Sequence, residues 1–212
     1  MTTINHIVFD IGKVLIHWDP EIPYKKLIPD DEERNWFFEN ICTPQWNLEQ
    51  DRGRSWTDAE DVLIAEYPDH ETNIRAFRKV RPDMISHEVP GTFQIMQSLV
   101  EAGHDVTMLT NFHQDTYVIA KDTYPLLDLP RGATVSADVK LVKPDPEIYM
   151  LHAREFELEP ENILFFDDTD NNVEAARQAR WQAELFTSSE QMKADLSDMV
   201  SGHSDTTIAE HF

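Results

Sequence analysis

The stretch IVFDIGKVLI, residues 7–16, is an apolar run that stops at Asp10, passes Gly12 and Lys13, and then resumes. Such a run, closed by a glycine, predicts a buried strand over residues 4–10. Its carboxylate then stands at the C-terminal end of the strand, and a charge placed there needs something to bind. The whole chain has only six glycines, so Gly12 directly after the strand reads as a special backbone position.

Downstream of Glu88, strand and helix alternate. TFQIMQSLVEAGH (92–104) is predicted to be a helix closed by Gly103, DVTMLTN (105–111) a strand, and ATVSADV (133–139) a short strand. DPEIYMLHAREFEL (145–158) is a helix opened by Pro and Asp, and NILFFDD (162–168) is a strand. NNVEAARQARW (171–181) is a helix and QAELFT (182–187) a last strand. This alternation predicts a parallel sheet with helices on both faces and a ligand at the carboxyl ends of its strands. Residues 188–212 read as a surface helix and a loose tail.

The texture is different over residues 19–87, where charge is dense and helical spacing dominates. Four of the five Trp fall between positions 18 and 56. IPDDEERNWFFENI (28–41) and WTDAEDVLIAEY (56–67) have early acids and apolar residues at helical spacing, and the DRGRS turn lies between them. The segment reads as a helical insert, with Trp18, Trp36, Phe37, Phe38, Trp46 and Trp56 mainly forming its core.

At 212 residues the chain suits one sizeable core with an insert. Eighteen basic against forty acidic residues give a formal charge of −22, a field that repels nucleic acid and anionic lipid. No apolar run approaches membrane-spanning length and the N-terminus lacks a secretion-signal pattern, so a cytoplasmic, non-membrane protein is expected. The single cysteine, Cys42, excludes an intramolecular disulfide and reads as a packed thiol.

Asp10, Thr110 with Asn111, and Asp167 with Asp168 each close an apolar strand. Carboxylates gathered this way repel one another unless a cation sits among them, and hard oxygen ligands suit Mg²⁺. Lys143, just before a Pro-opened helix, could neutralise a nucleophile and phosphoryl oxygens, with Thr110 and Asn111 donating to those oxygens. The pattern describes a phosphoryl-transfer pocket for a small-molecule substrate.

FDIGKVL, MLTN, LVKPDPEIY and FFDDTDNN, in this order, resemble the signature motifs of the haloacid dehalogenase-like (HAD) hydrolase superfamily, over residues 7 to about 180. The resemblance implies an α/β fold, a Rossmann-like doubly wound parallel sheet with an inserted helical cap: core over 1–18 and 88–212, cap over 19–87. It implies Asp10 as a nucleophile forming an aspartyl-phosphate, Thr110 and Asn111 holding the phosphoryl group, and Lys143, rather than Lys140, neutralising charge. Asp168 would bind Mg²⁺, supported by Asp167 and Asn172, with Asp10 and the Gly12 carbonyl completing the metal set. Phosphatases of the superfamily usually carry a second Asp where this chain has Gly12, so a general acid is missing from its usual place. The first motif is most similar to a subgroup that includes bacterial sugar-1-phosphate phosphatases.

Three neighbours are weighed as further candidates: His17 as a proton source or substrate contact, and Arg52 and Arg54 as contacts for an anionic or sugar substrate. Two other readings stay open. A 2-haloacid dehalogenase would act through an ester on Asp10 without a metal, although family members of that kind carry an aromatic residue at the position of Gly12 and a Ser-Ser-Asn-type fourth motif. A catalytically weak binding protein would need only the fold.

Overall fold

The computed structural model describes residues 4–200, with side chains described through 197. The loose tail expected beyond residue 200 lies outside the described residues. Among the described residues there are seven strands: β1 (His6–Phe9), β2 (Ile16–Trp18), β3 (Ile85–Glu88), β4 (Asp105–Thr110), β5 (Ala133–Val135), β6 (Ile163–Asp167) and β7 (Gln182–Leu185). Five form one sheet in the order β5-β4-β1-β6-β7, and every pairing in it is parallel. β1 is central because HIVF is buried at all four positions, as a strand covered on both faces must be.

Alternate side chains of β1 feed two cores. Ile7 and Phe9 join Phe93, Met96, Val106, Met108 and Phe166 on one face. Val8 joins Leu109, Ile148, Tyr149, Phe165, Val173 and Trp181 on the other. The helices Thr92–Glu101, Pro146–Glu155 and Asp170–Gln178 supply these layers, giving an α/β Rossmann-like fold. The expected helices and long strands are present with shorter ends.

Three features were not expected. ATVSADV is a strand only to Val135: Ser136–Val139 turns helical and ends at Lys140 in the left-handed region. The buried Ser136 hydroxyl leaves the strand direction to donate to the Asp51 carbonyl at 2.6 Å. A further helix, Gln114–Thr123, follows β4. β2 and β3 pair antiparallel, matching Ile16 with Glu88 and His17 with His87, and this ribbon brackets the helical segment between Glu21 and Met84.

The bracketed helices start where capping chemistry allows. Asp30 accepts from Glu33 N at 2.9 Å, and Thr43 accepts from Trp46 N at 3.0 Å, ahead of Pro44. They enclose a third core of Tyr24, Phe37, Trp46, Trp56, Ile74 and Phe77, with Cys42 buried among them. Trp46 and Phe77 meet edge to face at 5.2 Å. Trp36 stays 43% exposed, and Trp18, partly buried, packs against both this core and the sheet core.

Polar residues also cross the sheet interior away from the strand ends that carry Asp10 and Asp167. His6 Nε2 lies 2.7 Å from Thr107 Oγ1, which lies 2.9 Å from His152 Nε2, and His152 Nδ1 lies 2.8 Å from Thr134 Oγ1. All four are buried, and burial pushes the His152 imidazole down to about 3, so the ring is neutral and serves as a hydrogen-bonding spacer.

Candidate active site

β1 and β6 are adjacent and in register, pairing Phe9 with Phe166, so their following carboxylates are brought side by side. Asp10, Asp167 and Asp168 place oxygens within 4.8 Å of one another. Lys143 reaches up between them. Its ammonium lies 2.9 Å from Asp10 Oδ1 and 2.6 Å from Asp167 Oδ2, and donates to the Leu109 carbonyl at 3.0 Å. Lys143 is 2% exposed, so these bonds replace its hydration. Burial alone lowers an ammonium, but Asp10 and Asp167 outweigh it and hold Lys143 above its ordinary value.

The three acids have different duties. Asp167 is fully buried and every lone-pair direction is engaged: Oδ1 accepts from Thr169 N and Asn172 Nδ2, both at 2.9 Å, and Oδ2 from Lys143 and from Asn172 at 3.1 Å. It orients the lysine. Asp10 accepts only at Oδ1, from Ile11 N at 2.7 Å and from Lys143, which leaves Oδ2 without a hydrogen bond among the described residues. Burial raises the Asp10 carboxyl, Lys143 opposes this, and Asp167 and Asp168 add to it. Asp168 is raised by burial and then by Asp167, yet its side chain keeps 24% exposure. A cation beside Asp10 and Asp168 would reverse both shifts.

These observations test the fit to Mg²⁺. The free oxygen of Asp10, the partly exposed carboxylate of Asp168 and the adjacent Gly12 backbone offer a hard-oxygen donor set. Thr110 Oγ1 is buried without a partner in the same crevice, as a hydroxyl awaiting a ligand oxygen would be. The residues fit the ion.

Asn111 lines the crevice, but its amide clamps the lysine backbone: Oδ1 accepts from Lys143 N at 2.8 Å and Nδ2 donates to Lys143 O at 2.9 Å. Gly12 lines the crevice too, and its conformation corrects the sequence reading. Its φ lies outside the left-handed region, and a β-carbon there would sit 3.5 Å from Phe112, an ordinary contact; the left-handed residue is Lys13, at φ 59°.

The crevice holds about 170 Å³ of free space, enough for a small ligand. Its opposite wall comes from the helical segment: Asn47, Asp51 and Arg81, with Trp18 from the ribbon. Arg81, 3% exposed, donates to Thr116 Oγ1 and Asn47 Oδ1, both at 2.8 Å, and to Asp51 Oδ1 at 3.3 Å. Asp51 also accepts from Asn47 Nδ2 at 2.9 Å and from His113 N at 3.0 Å, just past Asn111. Burial raises the Asp51 carboxyl against these donors. Gly53, at φ 89°, lets the chain pass the core so closely that a β-carbon would fall 2.9 Å from Ala137 O.

Arg52, Arg54 and His17 are not brought to the crevice wall. Arg52 pairs with Glu49, Arg54 bonds Gln50 Oε1, and His17 stacks on His87 and contacts Ser86. Lys140 reaches Gly53 O at 3.4 Å and stays exposed, away from the carboxylates. The wall residues Asn47, Asp51 and Arg81 belong to no motif singled out in the sequence, although Asp51 heads the DRGRS turn and Arg81 precedes a proline.

A doubly wound parallel sheet whose strand-end carboxylates meet a buried lysine in one crevice defines a Rossmann-like α/β protein with a carboxylate–lysine site at its strand ends. The chain belongs to the haloacid dehalogenase-like hydrolases, whose family model matches residues 4–180. In fold it is similar to a HAD family enzyme from Bacteroides thetaiotaomicron, with a TM-score of 0.70 at 19% identity over 92% of this chain and 99% of that one. The same enzyme has been crystallised with magnesium and inorganic phosphate, and that form matches at TM-score 0.65 and 19% identity, over 87% and 95%. An L-2-haloacid dehalogenase from Xanthobacter autotrophicus, carrying covalently bound chloropropionic acid, matches at TM-score 0.63 and 17% identity over 96% and 85%. No described helix is long and apolar enough to cross a membrane.

Proposed function

We propose that the chain is a Mg²⁺-dependent hydrolase of small phosphomonoesters, with sugar phosphates as candidates, working through an aspartyl-phosphate on Asp10. The observation that carries this reading is the meeting of Asp10, Asp167 and Asp168 around Lys143. A carbon-directed ester mechanism has no use for Asp168 beside the nucleophile, whereas a metal-assisted one does. The solved relative holding magnesium and phosphate adds support; the relative holding chloropropionic acid keeps dehalogenation as the second reading.

In this reading Asp10, Asp168 and the Gly12 carbonyl, with Asp167 and Asn172 behind them, would hold Mg²⁺, which would supply positive charge to offset that of the phosphoryl group. The Asp10 carboxylate attacks phosphorus, forming the new P–O bond as the ester oxygen departs. Lys143 restrains Oδ1 and offsets negative charge, Thr110 donates its unpartnered hydroxyl to a phosphoryl oxygen, and Asn111 fixes the lysine backbone. Water then cleaves the acyl phosphate, releasing inorganic phosphate and restoring the carboxylate. Because Gly12 offers no proton, the departing oxygen takes one from water, and rates should depend steeply on the leaving group. Residues 19–87 act as a cap that excludes bulk water from the crevice.

The test is a paired assay: phosphate release from a sugar-phosphate panel with and without Mg²⁺, and halide release from 2-chloropropionate, each repeated with Asp10→Asn. Magnesium-dependent phosphate release lost in the variant is the expected result. Metal-independent halide release would replace it with the second reading.

A further inference from the structure

Lys140, Glu157 and Arg180, three of the four non-glycine residues with positive φ, each end a helix, where a left-handed residue is a common stop. Lys13 ends none. It occupies the tight turn between β1 and β2, where its N–H donates to Ile16 O at 2.7 Å. Glycine or asparagine would take this conformation with less strain, so a long cationic side chain held here asks for a function.

That side chain lines the crevice with Asp10, Gly12 and Asp168 and is 57% exposed, with Nζ 3.9 Å from Asp168 Oδ2. The other two cations of the wall are engaged: Lys143 by Asp10 and Asp167, Arg81 by Asn47, Asp51 and Thr116. The Lys13 ammonium makes no hydrogen bond among the described residues. In a chain of formal charge −22, a phosphate dianion approaching this crevice meets a repulsive field. An exposed cation lining the crevice, three residues past Asp10, counters that field where it matters.

We propose that Lys13 is a substrate-binding residue whose ammonium contacts the phosphate oxygens, and that the same charge weakens divalent-cation binding at Asp168. The inference rests on the phosphatase reading and deepens it. Lys13 therefore trades metal affinity against phosphate affinity. A residue that merely shaped the turn would affect both in the same direction.

The experiment is calorimetric and needs no turnover: Mg²⁺ alone, then inorganic phosphate at saturating Mg²⁺, on wild type, Lys13→Asn and Lys13→Arg. Asparagine tolerates the left-handed turn, so the variant keeps its fold. Lys13→Asn should bind Mg²⁺ about three- to tenfold tighter and phosphate about three- to tenfold more weakly, while Lys13→Arg stays near wild type for both. If wild type binds both ligands and Lys13→Asn gives any other pattern, the Lys13 inference alone is overturned. If wild type binds neither, the phosphatase reading falls and this inference with it.

Discussion

The crevice has two walls assembled by different means. On the sheet side, Asp10, Thr110, Asn111, Asp167 and Asp168 stand at the ends of neighbouring strands, and parallel pairing brings them together. On the helical side, Asn47 and Asp51 come from one helix and Arg81 from another, joined by a desolvated ion pair and by bonds to Thr116 and His113 of the core. The first wall follows from topology and the second from packing. Chemistry should therefore fail when the first is altered, and stability when the second is.

The largest effect expected is on the sheet wall. Asp10→Asn should lower phosphate release by a factor on the order of 10³ or more, with little change in the thermal midpoint because Lys143 keeps Asp167. Steady-state assays beside a melting curve check this, and a large drop in Tm would blur the contrast between the walls. On the helical wall, Arg81→Met leaves Asp51 buried without its partner and should cost about 3–5 kcal/mol in urea unfolding.

The sheet interior offers a pH test. His152 has a folded value near 3 against an ordinary 6.5, so between these values the unfolded chain binds the extra proton. Stability is full above the unfolded value and falls as pH drops from about 6.5 toward 3, by a few kcal/mol in all. Denaturant midpoints across that range should slope accordingly, and His152→Gln should flatten them. The smallest effect is a gain: Gly12→Asp should raise turnover on poor leaving groups by about tenfold, and less on p-nitrophenyl phosphate, if it acts as a general acid. Equal change on both substrates would argue against the missing-acid account.

The sheet wall was legible because strands that end in Asp, Thr-Asn or Asp-Asp announce both their position and their chemistry. Lys143 was legible from its Lys-Pro-Asp setting. The helical wall was not, since nothing local in PQWNLEQD tells that Asn47 and Asp51 face Arg81, 34 and 30 positions away along the chain. Arg52 and Arg54 attracted attention as cations beside a glycine turn, but they lie along DRGRS with partners on the helix before it. The Ser136 turn was hidden because a β-branched run, Thr134–Val135, precedes it.

At Gly12 the φ lies outside the left-handed region and a β-carbon would meet Phe112 at an ordinary 3.5 Å, so the local backbone does not demand glycine. The chain stands a single substitution from the acid-bearing motif of its family. Laboratory evolution toward harder esters should therefore find position 12 early.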